Sequence, residues 1–319
     1  MSPAVSDFGG VTLLPVDGRA PEDVLVDPGG RVYAGLVDGR IVRVDGPGAA
    51  VRTVATVPAR PLGLEFLGAD ELVVCASEAG LLAVRIDDGR VRTLTARVGG
   101  RPLLACNNAA VAPDGTVYFS DSSTRYRVPQ WRTDLVRRTA TGRLFRRSPD
   151  GAITELMGGL EFANGVALAA DGSYVAVAET GTGRLHRVWL TGERNGRTEL
   201  FVDGLDGYPD NIARGSDGLI WVALPSPRTA LLTRVQGLPA AARAVVGALP
   251  DRMAPRPSPV VSVVAVDDAG RVVHELRGEI DGFRMLTGVR EAGGVLWFGS
   301  LEGAVVATAR VPQASGAVP

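Results

Sequence analysis

One pattern recurs along the chain: an apolar strand, a turn of Gly and Asp, and a second strand rich in Val, Tyr, Trp or Phe. The six copies of this pattern occupy residues 22–35, 62–76, 107–121, 164–178, 211–223 and 287–300. A third strand follows each copy, and several copies have a fourth. A unit of about four strands that recurs along the whole chain is typical of a β-propeller. A β-sandwich would not explain why whole units recur. The sequence therefore predicts an all-β fold, a six-bladed β-propeller with four-stranded antiparallel blades.

The stretch from residue 160 to residue 190 shows the pattern most clearly. Its sequence, LEFANGVALAADGSYVAVAETGTGRLHRVWL, contains three apolar runs rich in β-branched residues. Asp171-Gly172 and Gly181-Thr182-Gly183 separate these runs, and such dipeptides and tripeptides are typical of hairpin turns. We predict three adjacent strands of one antiparallel sheet. The Asn164-Gly165 pair before the first run is either a turn or a place where an amide oxygen faces a ligand.

Two insertions interrupt the repeat, at residues 122–142 and 225–259. In the first, TDLVRRTAT predicts a short helix with Thr133 or Asp134 as its N-cap. In the second, LPAAARAVVGAL has helical periodicity with a proline at its start, and the last two strands of the fifth blade are displaced to VVSVVAVDD and GRVVHELRG. We expect one domain over residues 1–319, with both insertions forming a cap over the channel mouth. A packing lobe without ligand contact is the alternative.

The composition narrows the classes of partner. The 319-residue chain has a formal net charge of −1, which indicates neither nucleic acid nor a membrane as a partner. A small-molecule substrate is the expected partner, and the sequence does not indicate an oligomeric state. No run approaches the ~18 apolar residues of a membrane span, and the first residues do not form a signal region. Cys75 and Cys106 are predicted to be buried free thiols, so we expect a cytoplasmic protein.

Four of the six copies begin with polar residues at matching positions. These are Pro21-Glu22-Asp23, Cys106-Asn107-Asn108, Ala163-Asn164-Gly165 and Pro209-Asp210-Asn211. The innermost strand of each blade begins near the channel, so a closed ring directs these residues toward one axis. Carboxylate and amide oxygens suit Ca²⁺, with Mg²⁺ or Mn²⁺ less favoured, and they do not suit zinc. One such pair alone is usually a turn, but four crowded at an axis would be costly without a cation.

Several longer motifs are shared with one group of propellers. They are FANGVALAADGSYVAVAETGTGRLHRVWLTG, GYPDNIARGSDGLIWVALP, VYFSDSS with TGRLFR after it, and GVLWFGSL. On these motifs, which extend over essentially the whole chain, the sequence resembles the strictosidine synthase-like branch of six-bladed propellers. That superfamily also includes senescence-marker/gluconolactonase proteins and paraoxonases. The resemblance implies a catalytic Ca²⁺ held by Glu22, Asn107, Asn164 and Asp210, and the paraoxonase pattern adds Asn211.

Three positions depart from the patterns of these enzymes. The glutamate on which strictosidine synthase depends aligns with Thr287, so the resemblance does not imply a Pictet–Spengler condensation. Gluconolactonases have an arginine where this chain has Ala105, so recognition of a polyhydroxy acid is not implied either. Paraoxonase-like enzymes use a histidine pair early in the chain, whereas His186 and His274 fall in outer-strand patterns here. We expect His186 to be a packing or surface residue.

The function that these residues favour is metal-dependent hydrolysis of a lactone or ester of a hydrophobic small molecule. The ion would polarise the carbonyl, and a metal-bound water or one activated by Asp210 would attack it. Asn108 would be a second catalytic residue that orients substrate together with Asn211. The candidate substrate contacts are Arg125, Tyr126, Trp131, Met253, Met285 and Thr287. Two alternatives remain open, because fold does not fix function. One is a cation-assisted cyclase, isomerase or condensing enzyme, and the other is a binding propeller with a structural ion.

Overall fold

The computed structural model describes residues 5–46, 48–250 and 253–312. Its strands form six sheets, which are the blades of a propeller. Two short strands precede the first blade, β1 (Val5–Ser6) and β2 (Thr12–Pro15). Within each of the first five blades, strands that follow one another in sequence are hydrogen-bonded neighbours. The prediction of a six-bladed propeller with four-stranded blades is confirmed.

The strands of the first three blades match the first three copies of the repeat. Blade one consists of β3 (Val24–Val26), β4 (Val32–Gly35), β5 (Arg40–Val44) and β6 (Val51–Thr56). Blade two consists of β7 (Gly63–Leu67), β8 (Glu71–Ala76), β9 (Gly80–Arg85) and β10 (Val91–Thr95). A two-stranded hairpin follows, made of β11 (Arg97–Val98) and β12 (Arg101–Pro102). Blade three consists of β13 (Cys106–Val111), β14 (Val117–Asp121), β15 (Gly142–Arg147) and β16 (Ile153–Leu160).

The second half of the chain forms the other three blades. Blade four consists of β17 (Ala163–Leu168), β18 (Tyr174–Glu179), β19 (Arg184–Trp189) and β20 (Thr198–Val202). Blade five consists of β21 (Ile212–Arg214), β22 (Ile220–Leu224), β23 (Val260–Val266) and β24 (Val272–Glu279). Blade six contains β25 (Leu286–Ala292), β26 (Val295–Ser300) and β27 (Val305–Arg310). The displaced strands β23 and β24 lie where the sequence predicts them.

The ring is closed by a strand from the beginning of the chain. Strand β2 pairs antiparallel with β27, with Thr12 opposite Thr308 and Pro15 opposite Val305, and it completes blade six. Strand β1 adds a parallel fifth strand to blade five. The repeat did not predict this closure, because it is visible only when the two ends of the chain are brought together.

The core lies between the blades. Both faces of a blade pack against neighbouring blades, so every residue of β14, β18 and β22 is buried. This explains why a strand such as β18 is an almost continuous apolar run instead of alternating with polar residues. One cluster joins blades four and five through Tyr174 and Ile220, and Trp221 on the opposite face of β22 packs toward blade six.

The described residues of the two insertions form three short α-helices: α1 (Trp131–Arg137), α2 (Ala230–Gln236) and α3 (Ala240–Val246). The predicted helix in the first insertion exists, but its predicted N-cap is wrong, because Gln130 is the N-cap and both Thr133 and Asp134 lie inside α1. Asp134 is buried and accepts hydrogen bonds from Ser123 and Thr139 instead. The predicted α3 is confirmed, with Pro239 at its start, whereas α2 was not predicted. Among the described residues, no helix has the length and hydropathy that crossing a bilayer requires.

The closing strand offers a matched test of ring closure. Leu14 on β2 is buried, whereas its neighbour Leu13 is 37% exposed. We expect Leu14→Ala to lower the free energy of unfolding by about 2–4 kcal/mol, because a buried leucine leaves a cavity. The control Leu13→Ala should change it by less than about 0.5 kcal/mol. Urea denaturation measures both, and equal small losses would show that the closing strand contributes little to stability.

Candidate metal centre

Four blades present a polar side chain at the same end of the channel. Asn107 and Asn164 are the second residues of β13 and β17, while Glu22 and Asp210 stand two residues before β3 and β21. All four side chains line one cavity with a volume of about 440 Å³. The structure therefore brings together the four residues that the sequence analysis selected.

The backbone around Asn164 is a strand and not a turn. A Cβ atom on Gly165 would lie 2.2 Å from the backbone nitrogen of Ile212, so only glycine fits between these inner strands. The Gly165 N–H donates to the carbonyl of Asp210 at 3.1 Å, which fixes blade four against blade five. The glycine serves this close approach, and the Asn164 side chain projects from the strand into the cavity lining.

Three oxygen atoms of this group are buried without a hydrogen-bond partner: Glu22 Oε2, Asn107 Oδ1 and Asn164 Oδ1. The amide nitrogens of the two asparagines are held, since Asn107 Nδ2 donates to Ser122 Oγ at 2.9 Å and Asn164 Nδ2 donates to Thr180 Oγ1 at 3.2 Å. An anchored amide nitrogen fixes the direction of its oxygen. Burying an acceptor without a partner costs roughly 1–3 kcal/mol, so this arrangement fits a bound cation.

Without a bound cation, the ionised forms of the Glu22 and Asp210 carboxyl groups are disfavoured. Burial raises the pKa of Asp210 well above its usual range, and the negative charge of Glu22 raises it further. Burial also raises the pKa of Glu22, although Arg60 opposes this shift. A cation between the two carboxyl groups would favour their ionised forms. Asp210 keeps part of its surface open to the cavity, whereas Glu22 is buried.

Arg60 is a member of this group that the sequence analysis missed. Its Nη2 atom lies 2.9 Å from Glu22 Oε2 without hydrogen-bond geometry, and its Nε and Nη2 atoms are buried without partners. Arg60 stands three residues before β7, whereas Glu22 stands two residues before β3. The place in blade two that corresponds to Glu22 is taken by Leu62, whose N–H donates to the Cys75 carbonyl as the Glu22 N–H donates to the Gly35 carbonyl. Two carboxylates and one guanidinium leave the group with a net charge of −1.

The donor chemistry distinguishes this centre from a zinc site. Within residues 5–46, 48–250 and 253–312, no three His, Cys, Asp or Glu residues come together as a possible metal cluster. The present group has only two carboxylates, and its other oxygens come from amides. Such a set matches the hard oxygen ligands of Ca²⁺.

Where the innermost strand of a blade begins, one polar residue lines the cavity and the next one does not. The cavity lining includes Glu22, Asn107 and Asp210, but among the lining residues that the structure describes their successors Asp23, Asn108 and Asn211 do not occur. Successive side chains in an extended chain point in opposite directions, which explains the division.

The second residue of each pair joins neighbouring blades. Asn108 Nδ2 donates to Asn211 Oδ1 at 3.1 Å, and Asn108 Oδ1 accepts from the Val166 N–H at 2.9 Å. Asp23 Oδ2 accepts from the Leu64 N–H at 3.0 Å. The structure therefore places the predicted catalytic residue Asn108 and the predicted fifth ligand Asn211 in contacts between blades, apart from the four cavity residues.

The walls of the cavity come largely from the insertions and are mostly apolar. Of the predicted substrate contacts, Trp131, Met253 and Met285 line the cavity. The apolar residues of the insertions that line the cavity include Val128, Leu135, Leu232, Val235, Val246 and Leu249. A mostly apolar cavity that ends in a group of polar oxygens suits a hydrophobic molecule with one polar functional group.

The other predicted substrate contacts lie elsewhere. Arg125 is exposed, and the ring of Tyr126 lies beneath the Arg137 guanidinium at 6.0 Å, so neither belongs to the described lining. Both precede α1, in a segment of which Val128 lines the cavity. Thr287 also lies outside the lining, because its Oγ1 donates to the Glu22 carbonyl at 2.8 Å. His186 lies on β19 with its Nε2 2.9 Å from Glu179 Oε2.

Models of two protein families match parts of this chain. The model described as Strictosidine synthase matches residues 107–193, and the model described as Strictosidine synthase-like, N-terminal, matches residues 7–44. The first match includes two of the four cavity residues and the second includes Glu22. Blade five, with Asp210, falls outside both matches.

Curated relatives extend the similarity. Protein STRICTOSIDINE SYNTHASE-LIKE 10 of Arabidopsis thaliana is 32% identical over 311 residues, covering 88% of this chain and 82% of the relative. Protein STRICTOSIDINE SYNTHASE-LIKE 6 of the same plant is 34% identical over 232 residues, covering 71% of this chain. The match spans only 61% of that second relative's length.

Solved structures share the fold at low sequence identity. A gluconolactonase from Xanthomonas campestris has a TM-score of 0.68 at 16% identity, covering 96% of this chain and 92% of the other. The calcium-binding protein regucalcin from Agrobacterium tumefaciens has a TM-score of 0.67 at 16% identity, covering 96% and 95%. At this level of identity, the likeness concerns the arrangement of the blades.

The neighbours Asn107 and Asn108 provide a test of which oxygens are unpaired. We expect Asn108→Ala to lower the free energy of unfolding by about 2–4 kcal/mol in EDTA, because it leaves the Val166 N–H and the Asn211 Oδ1 without partners. Asn107→Ala should cost about 1 kcal/mol, since it removes one hydrogen bond to Ser122 together with an acceptor that has no hydrogen-bond partner. Urea denaturation in EDTA measures both. An equal loss in the two variants would mean that Asn107 Oδ1 is paired in solution.

Proposed function

This chain belongs to the strictosidine synthase-like family of six-bladed β-propellers, and on that premise we propose that it is a Ca²⁺-dependent hydrolase of a hydrophobic lactone or ester. The observation that supports the proposal is the meeting of three buried oxygens that lack a hydrogen-bond partner with Asp210 at the polar end of an apolar cavity. Loss of the ion or of Asp210 should therefore abolish turnover.

The proposed ligands are Glu22, Asn107, Asn164 and Asp210, whose side chains all line the cavity. A Ca²⁺ ion bound there supplies Lewis-acid polarisation of the substrate carbonyl and stabilises negative charge on its oxygen. Calcium is favoured over Mg²⁺ or Mn²⁺ because it accepts amide oxygens and a flexible number of ligands.

The protein residues around the ion divide the remaining tasks. Asp210 is the proposed general base for the attacking water, because it alone of the four keeps appreciable surface in the cavity. Asn108 is reassigned from contact with substrate to positioning, since its amide binds Val166 and Asn211. Thr287 likewise positions Glu22 by donating to its carbonyl. This engaged hydroxyl is no substitute for a carboxylic acid, which disfavours a condensation.

The cavity walls suggest the class of substrate. We propose that the two insertions form a cap, defined as residues 122–142 and 225–259, which excludes water from an apolar acyl or ring portion. Trp131, Met253 and Met285 are the proposed substrate contacts, because all three line the cavity. Solvent ¹⁸O in the product would distinguish hydrolysis from a cation-assisted cyclisation or isomerisation. A binding propeller would show no turnover on the same substrates.

The two cysteines support a reducing compartment. Cys75 on β8 and Cys106 on β13 are both free and buried. Burial raises the pKa of the Cys106 thiol well above its usual range, which keeps it in the unreactive neutral form. We therefore propose that the protein works in the cytoplasm.

The first test examines Ca²⁺ binding and the role of Asp210 in hydrolysis. Ca²⁺ at about 100 times its Kd should stabilise the EDTA-treated protein by about 2.7 kcal/mol, and Glu22→Gln should reduce this effect. Asp210→Asn should lower hydrolysis of hydrophobic lactones and esters at least ~100-fold while circular dichroism shows a retained fold. Asp150→Asn, at an exposed turn between β15 and β16, is the matched control. Undiminished turnover by Asp210→Asn would contradict the mechanism.

A second test concerns the fixed positive charge beside the ion. Arg60→Gln should bind Ca²⁺ about tenfold more tightly by calorimetry, because a cation next to Glu22 repels the ion. The same change should lower stability in EDTA, since Glu22 then lacks its nearby positive charge. Arg60→Lys keeps the charge and should leave the affinity close to that of the unmodified protein. Equal affinities in all three proteins would show that Arg60 does not act on the ion.

A further inference from the structure

The near-neutral net charge conceals a strong asymmetry between the cap and the rest of the chain. The cap contains ten arginines and two aspartates, so it carries a net charge of +8 while the remaining residues carry −9. One of its two aspartates, Asp134, is a buried residue of α1. The arginines of the cap with exposed side chains include Arg125, Arg127, Arg228, Arg234 and Arg256. The outer surface of the cap is therefore strongly basic.

The same region also concentrates exposed apolar side chains. Eleven large hydrophobic residues are exposed among the described residues, and five of them lie within the 23 positions from 231 to 253. These five are Leu231, Leu238, Val245, Leu249 and Met253. Exposed apolar residues scattered singly need no explanation, but a cluster of this kind marks a surface that has a partner.

The apolar patch is continuous with the cavity. Leu231, Leu249 and Met253 line the cavity, and about half or more of the surface of each is exposed. Helices α2 and α3, which carry Leu231 and Val245, pack against α1 in the first insertion. A molecule leaving an apolar environment at the patch therefore reaches the polar oxygens at Glu22 and Asp210 along an apolar wall.

The charge decides which partner fits. A second copy of the chain would bring one basic cap against another, and like charges repel. A nucleic acid would match the arginines but presents a phosphate backbone to the exposed leucines and Met253. An anionic lipid surface provides both negative headgroups and an apolar layer beneath them.

We propose that the cap docks on an anionic lipid surface. Leu238, Val245 and their exposed apolar neighbours enter the boundary between headgroups and acyl chains, and the arginines meet the phosphate groups. The hydrophobic substrate then passes from the lipid into the cavity without crossing water. This replaces the expectation of no membrane partner, which used the charge averaged over the whole chain. Docking requires neither the ion nor turnover.

The test is co-sedimentation of the full chain with vesicles. The protein should bind vesicles of phosphatidylglycerol and phosphatidylcholine at least ~10-fold more tightly than phosphatidylcholine alone, and high salt should remove the difference. Leu238→Asp with Val245→Asp should weaken binding to the mixed vesicles about tenfold. Leu200→Asp, at a 48% exposed position on β20 outside the cap, should not.

A variant with altered charge separates the contribution of the arginines to vesicle binding from that of the apolar side chains. Arg228→Glu with Arg234→Glu should abolish the preference for anionic vesicles, whereas Arg271→Glu, at a side chain 80% exposed outside the cap, should retain it. Circular dichroism confirms folding of every variant. The proposal fails if the protein binds neither vesicle, or if the Leu238→Asp, Val245→Asp protein binds as the original does. It also fails if sedimentation shows a dimer that this double variant dissociates, since a second copy then covers the patch.

Discussion

The close approach of the inner strands is the constraint on which the rest of this molecule depends. A Cβ atom on Gly63 would lie 2.7 Å from the Cα of Asn108, and one on Gly288 would lie 2.7 Å from the carbonyl oxygen of Glu22. Backbones this near leave no space for apolar filling, so neighbouring blades are joined by polar contacts at the centre and by apolar packing farther out. The Ser120 hydroxyl, for example, donates to the Asn164 carbonyl of the next blade at 2.6 Å.

That geometry divides the central polar residues into two groups by the direction of their side chains. Asn108 is fully engaged between blades, whereas the oxygen of Asn107, one residue earlier, is buried and unpaired. A buried polar atom without a partner is rare in folded proteins and calls for a physical explanation. Here three buried oxygens without a hydrogen-bond partner come from three different blades and belong to residues that line one cavity, which favours a common ligand over three separate defects.

The sequence predicted features whose causes are local. Strand alternation and the glycine turns predicted the blades, and β17 to β19 lie where the pattern indicates. Closure by β2 was missed because its partner is at the other end of the chain. Arg60 was missed because the pattern that selected the ligands consisted of carboxylates and amides, and because Arg60 lies three residues before β7 whereas Glu22 lies two residues before β3. The alternation of side chains along a strand would have separated Asn107 from Asn108, had it been applied to the entrances as well as to the strands.

Ring closure by β2 has a consequence for how the protein is made. Pro15 pairs with Val305, so β2 is synthesised roughly 290 residues before its partner strand exists. At about 5–20 residues per second, this delay lasts on the order of 15–60 seconds. During that time blade six is incomplete, while the segments that carry Glu22, Asn107, Asn164 and Asp210 have already been synthesised. An ion captured by the nascent chain would hold blades one, three, four and five around a common centre and so help the final blade to lock into place.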